Sequence, residues 1–134
     1  MLKKRNITVL YRTEAQNLVI NDGKVEGVKA KDLVRNEDLE ISSKAVVIAT
    51  GGFAANEELY TKYRKDLKGF ITTNHPGADG SGIVMAEKAG AELVDMEYIQ
   101  TNPTVEQSKA EVISESVRGN GAIFVNKKAQ VVFW

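Results

Sequence analysis

The run "KAVVIATGGFAANEE" (44–58) constrains this chain more than any other stretch. From Ala45 to Ala49 the residues are apolar without alternation. A strand with one wet face alternates, whereas an unbroken apolar strand is buried on both faces, as in a parallel sheet. Thr50, Gly51 and Gly52 end the run, and a helical pattern takes over. Asn56 is placed as an N-cap, with Glu57 and Glu58 in the first turn. Leu59, Tyr60, Tyr63 and Leu67 form an apolar stripe. Lys62, Arg64, Lys65 and Lys68 crowd the far end before Gly69 stops the helix. Acid first and base last suits the helix dipole. Buried strand, glycine turn and helix together predict an α/β fold.

The residues before this unit read as strands. "NITVLY" (6–11) and "AQNLVI" (15–20) are short β-rich runs. "NDGKVEGVKA" (21–30) carries a hairpin signature, with its turn at Asn21-Asp22-Gly23. "KDLVRNEDLEI" reads as a further strand pair turning near Arg35 to Asp38. After Gly69 come a short strand and a glycine-rich loop, "FITTNHPGADGSG" (70–82), then a helix over 83–90 closed by Gly90. The segment 91–100 is extended, and Pro103 opens an irregular stretch. A short helix is expected from about Val112 to Arg118, then a strand over 122–126 and an apolar end, "QVVFW".

Composition removes several function classes. The chain has 134 residues, no cysteine and one histidine, His75. Disulfides, thiolate metal sites and cysteine nucleophiles are therefore excluded within it, and no metal site is expected. Lys plus Arg and Asp plus Glu number 18 each, and no basic patch with aromatics stands out, so nucleic acid is not expected as a partner. No apolar run reaches the length of a membrane span. The start, "MLKKRNITVLYR", is interrupted by Asn6, Thr8 and Arg12 and is not a signal peptide. A soluble, cytoplasmic setting is the default expectation.

Three motifs could carry chemistry, and each has a plain alternative. "VVIATGGF" lets a ligand approach glycine backbone beside a helix N-terminus, yet also fits a tight turn that binds nothing. "PGADGSG" (76–82) approaches a second helix N-terminus, or is a surface loop. His75 fits a loop residue better than a catalytic one. "SESVR" puts Glu115 and Arg118 at i and i+3 on one helix face. A surface pair of that kind contributes only about 0.2–0.5 kcal/mol, but a permanently charged arginine beside a carboxylate can also serve a proton donor. Spacing alone does not choose.

Taken in order, "GKVEGVKA", "KAVVIATGGFAANEE", "GFITTNHPGADGSG", "AEKAGAELVDMEYIQTNPT" and "SESVRGNGAIFVNKK" resemble the flavoprotein subunit of fumarate reductase, in its soluble flavocytochrome c-like branch. The resemblance covers about residues 7–128. It implies a fragment of a Rossmann-like FAD-binding domain (1–96), with a β-rich insertion, followed by the start of an α+β capping domain (97–134). The implied cofactor is FAD, against Thr50, Gly51, Gly52, Thr73, Asn74, Gly77, Gly80 and Gly82. The implied substrate is fumarate or a related small unsaturated carboxylate, contacted by Asn102 and Thr104. Glu115 and Arg118 map onto a relay that feeds a proton-donating arginine. The electron donor to the flavin is not readable.

Two positions depart from the family's pattern. Asn102 stands where its fumarate reducers usually carry His, and Ser81 where Asp is common. An Asn donates hydrogen bonds without charge. The family's first G-x-G-x-x-G unit and its later acid arginine are not among these residues. The chain is therefore expected to be a middle slice, inactive by itself, with apolar C-terminal residues available for self-association. A flavin-binding module without catalysis and a ligand-free structural fragment are the alternatives.

Overall fold

The computed structural model describes residues 7–132, apart from the side chain of Arg118. The chain divides into two compact units. The first joins residues up to Gly52 with Gly80–Leu93, and the second joins Phe53–Asp79 with the residues from Val94 onward. The expected domain boundary after Met96 falls inside the second unit.

The first unit is built on an antiparallel meander, β1 (Thr13–Asn21), β2 (Lys24–Asp32) and β3 (Glu37–Ser42), in that spatial order. The β1–β2 turn falls on Asp22 and Gly23, whose φ values are 47° and 74°. Two successive positive φ values give a hairpin turn whose twist matches the strands. Where two strands were expected around Arg35 to Asp38, β2 runs on to Asp32 and only β3 is new. Asp32 Oδ1 accepts from Val34 and Arg35 N–H at 2.8 and 3.0 Å, which fixes that turn and holds the carboxyl below its usual range. Gly27, in the central strand, is buried, and a Cβ there would run into the Ile41 carbonyl of β3. Helix α2 (Ser81–Lys88) lies against β1 and buries Gly82 and Met85.

Three expected strands are corrected, the first being the short one after Gly69, where residues 70–73 form no ladder. Residues 7–10 form no ladder. The run 45–49 carries no ladder either, and Val47 is 89% exposed. A strand exists through its hydrogen-bonded neighbours, and no described strand pairs with this one. The apolar pattern is present, but the buried parallel pairing is not.

The second unit holds α1 (Glu57–Tyr63), a 3-10 turn at Lys65–Leu67, a small hairpin of β4 (Val105–Glu106) and β5 (Glu111–Val112), and α3 (Glu115–Gly119). Asn56 caps α1, its Oδ1 accepting from Leu59 N–H at 2.9 Å. The helix is shorter than its apolar stripe because the chain tightens after Arg64, which pairs with Asp66 at 2.6 Å. Gly69, with φ of 82°, then ends the segment as expected. Leu59, Tyr60 and Leu67 form the core of this unit. The strand expected over 122–126 reduces to one bridge, Val125 to Val131. Phe133 and Trp134, part of the expected self-association surface, lie outside the described residues. Among the described residues no helix is long and apolar enough to cross a membrane.

Candidate functional site

In the first unit, four of the expected cofactor residues meet. Gly80 N–H donates to the Gly52 carbonyl at 3.1 Å, joining the end of the glycine-rich loop to the "TGG" turn. Gly80 is buried with φ of 77°, a left-handed conformation that side chains rarely adopt. Gly82, the second residue of α2, lies under Thr50 and Ile48. A Cβ at Gly82 would collide with Thr50 Oγ1 and come within 2.9 Å of Ile48 Cγ2. Gly51, with φ of 82°, and Gly52 are exposed, with open space where their side chains would be. The turn therefore presents bare backbone on one side and is packed against α2 on the other. A flat or anionic group can approach bare backbone of this kind closely.

In the second unit, a cavity of about 150 Å³ brings Thr73, Asn74 and Asn102 into one wall. Two segments supply these residues, 70–74 and 99–102, with Tyr60 and Leu67 beneath. The first segment is tied down by Glu57, whose Oε2 accepts from Gly69 N–H at 3.1 Å and from the Tyr60 hydroxyl at 3.2 Å. The Tyr60 hydroxyl also lies 3.3 Å from the Phe70 carbonyl. Burial pushes the Tyr60 hydroxyl pKa up, and the Glu57 carboxylate adds to this, so the group stays protonated at neutral pH. The second segment is held by a turn in which Asn102 Oδ1 accepts from Thr104 N–H at 2.9 Å.

Thr104 does not line the cavity wall; it is buried behind Asn102, with 2% of its surface exposed. Gly77 also stands apart, its N–H donating to His75 Nδ1 at 2.9 Å in an exposed turn. This bond gives His75 a local turn-forming role. Glu115 opens α3 on the surface and lies outside the cavity wall. The side chain of Arg118 is outside the described residues, so the pair is seen only as two backbone positions on one short helix. Sequence reading missed Tyr60, Gln100 and Thr101 as cavity residues. Tyr60 was hidden in an apolar stripe, but the polar run "QTN" before Pro103 could have pointed to the other two.

Bare glycine backbone before one helix, and in the other unit a largely apolar cavity with Thr73, Asn74 and Asn102 in its wall, are the features of a mixed helix-and-sheet fold that stand open to a ligand. The chain belongs to the FAD binding domain family, whose model matches residues 1–132. It is 48% identical over 134 residues to an NADH:fumarate oxidoreductase of Klebsiella pneumoniae, covering 98% of this chain and 14% of that protein. It is 43% identical over 128 residues to a fumarate reductase (cytochrome) of Shewanella frigidimarina, covering 95% of this chain and 22% of that protein. The open conformation of a flavocytochrome c3 fumarate reductase superposes with a TM-score of 0.83 at 35% identity, over 94% of this chain and 22% of that one. The chain thus spans less than a quarter of the relatives that it matches.

Proposed function

We propose that this chain is part of an FAD-dependent oxidoreductase that reduces the carbon–carbon double bond of fumarate or a related unsaturated carboxylate. The observation that carries this reading is the cavity uniting Thr73, Asn74 and Asn102, in a chain similar to named fumarate reductases over nearly its whole length. FAD, when bound, supplies the hydride for such a reduction. Thr50, Gly51, Gly52, Thr73, Asn74, Gly77, Gly80 and Gly82 are the positions assigned to hold it. Chain neighbours aside, no atom lies within 4 Å of where a side chain at Gly51 or Gly52 would begin, which leaves that backbone open to a ligand.

In this reading residues 1–96 belong to the FAD-binding domain and 97–134 begin a capping domain. The unpaired run 45–49 then takes its ladder from neighbouring strands of the whole protein, which its continuous apolar pattern requires. Asn102 hydrogen-bonds a substrate carboxylate, supported by Thr104. Glu115 and Arg118 form a relay toward the group that completes the reduction, the guanidinium giving up one proton as it takes another from the Glu115 carboxyl.

The test uses the full-length protein with its flavin. Oxidation of a reduced viologen dye is expected on adding fumarate or another 2-enoate, and no oxidation across such a panel would overturn the activity. Glu115→Gln should then slow the reduction by about two orders of magnitude or more, the scale of a lost proton-transfer group, with flavin absorbance unchanged. Near-normal turnover of that variant would remove Glu115 from the proton path while leaving the activity standing.

A further inference from the structure

Asn102 has a wiring that its sequence does not announce. Thr104 N–H is a donor without ambiguity, so the Asn102 atom 2.9 Å from it is the acceptor Oδ1 and not the amino group. The same Oδ1 lies 2.8 Å from Thr104 Oγ1. That hydroxyl is also 2.9 Å from the Ile113 carbonyl. It has one proton for two acceptors and bridges them as a shared bond. The Ile113 N–H in turn donates to the Thr104 carbonyl at 2.9 Å, so Thr104 is clamped from both sides. At 2% exposure it cannot turn its hydroxyl to water instead. Asn102 Nδ2, by contrast, donates to no described residue, although Asn102 stands in the cavity wall.

We propose that Thr104 is a positioning residue: it fixes the Asn102 amide with its oxygen spent inside the protein and its amino group spare, so that this position offers the substrate an uncharged hydrogen-bond donor. The inference rests on the reading of Asn102 as a substrate-binding residue. It adds which atom of Asn102 is used, what chemistry it selects and which residue sets it. A primary amide held this way complements a carboxylate or carbonyl oxygen. It repels a substrate group that only donates. Unlike a histidine, it gives the same face at every pH between 5 and 8 (roughly the range over which imidazole titrates).

The full-length flavoprotein is assayed with fumarate, separating KM from kcat, with flavin absorbance as the check on folding. Asn102→Ala is expected to raise KM about tenfold, the scale of one lost bond to a charged group. Asn102→Asp keeps an oxygen for Thr104 N–H but turns the spare group into a negative acceptor, and should raise KM further. Thr104→Val removes the hydroxyl at nearly constant volume and should raise KM about three- to tenfold, as for one neutral hydrogen bond, with kcat within about twofold. Thr104→Ser keeps the hydroxyl and should restore KM to near the parent value. In an Asn102→Ala background, Thr104→Val should add nothing to KM, because Thr104 acts through the amide.

If Asn102→Ala raises KM and Thr104→Val does not, the proposal is overturned while the role of Asn102 stands. An equal effect of Thr104→Val in both backgrounds also overturns it, since that is a general structural effect. A parent-like KM in Asn102→Asp overturns the donor assignment. If Asn102→Ala leaves KM unchanged, the earlier reading of Asn102 itself fails. Should Thr104→Val lose its flavin, Thr104→Ala takes its place. Loss of flavin in both makes the role purely structural and ends the proposal.

Discussion

The two units use their assigned residues in opposite ways. In the first unit the glycines act through what they lack. Gly80 takes a left-handed φ, Gly82 leaves room for Thr50 and Ile48, and Gly51 and Gly52 leave backbone bare. One backbone bond, Gly80 N–H to the Gly52 carbonyl, joins this arrangement. In the second unit the polar side chains act through what they hold. Glu57 ties Gly69 and Tyr60, and Thr104 ties Asn102 and Ile113. A glycine turn is thus a matter of volume, and the cavity wall a matter of hydrogen-bond direction. Damage to the two should look different.

Gly82→Ala should give the largest loss of stability. The new methyl meets Thr50 Oγ1 and Ile48, and overpacking of this kind costs about 1–3 kcal/mol. Urea unfolding of the whole protein, alone and combined with Thr50→Ala, checks the cause. Removing the Thr50 hydroxyl should recover part of the loss, and purely additive effects would show that volume is not the reason. Asn56→Ala comes next, at about 1–2 kcal/mol, because it removes the cap to Leu59 and also a bond from Nδ2 to the Asp79 carbonyl at 2.9 Å. Here a matching change at a neighbour should not compensate, since direction and not space is lost.

The smallest effect is set by pH. The Glu106 carboxylate accepts from Ser108 Oγ and from Ser108 and Lys109 N–H, which hold its pKa below the usual value. A lowered folded pKa means that its contribution is complete above the unfolded value and is lost as pH falls through the folded one. The Lys109 amide resonance should therefore move only in acid below the ordinary glutamate range, and Glu106→Gln should abolish the movement. The glycine turn of the first unit, having no charge in it, should show no counterpart.

Much of the second unit was legible because its signals are local. Asn56, two following glutamates and a terminal Gly69 specify α1 within one stretch, and the helix starts where they say. The hairpin at Asp22-Gly23 is equally local. The run 45–49 was read correctly as apolar but not as paired, since pairing depends on residues elsewhere and none of the described strands supplies it. The cavity was half legible. Thr73, Asn74 and Asn102 were singled out through the resemblance and share its wall, while Tyr60, read into the apolar stripe, is both core and cavity lining. Thr104 was placed against substrate when it stands behind Asn102. Its position is decided by Ile113, across a hairpin whose strands are too short to leave a periodic pattern.

Asn56 limits what could replace it. Asp, Ser and Thr cap helices as well as Asn does, and by that criterion the position is permissive. The Asp79 carbonyl accepts from the Asn56 amide, however, and an ionised Asp has no proton to give it. A change to Asp would keep the helix and set a negative oxygen facing a carbonyl; a hydroxyl would be too short to serve both ends. Of the residues that begin helices well, the amide alone is two-handed enough for this place.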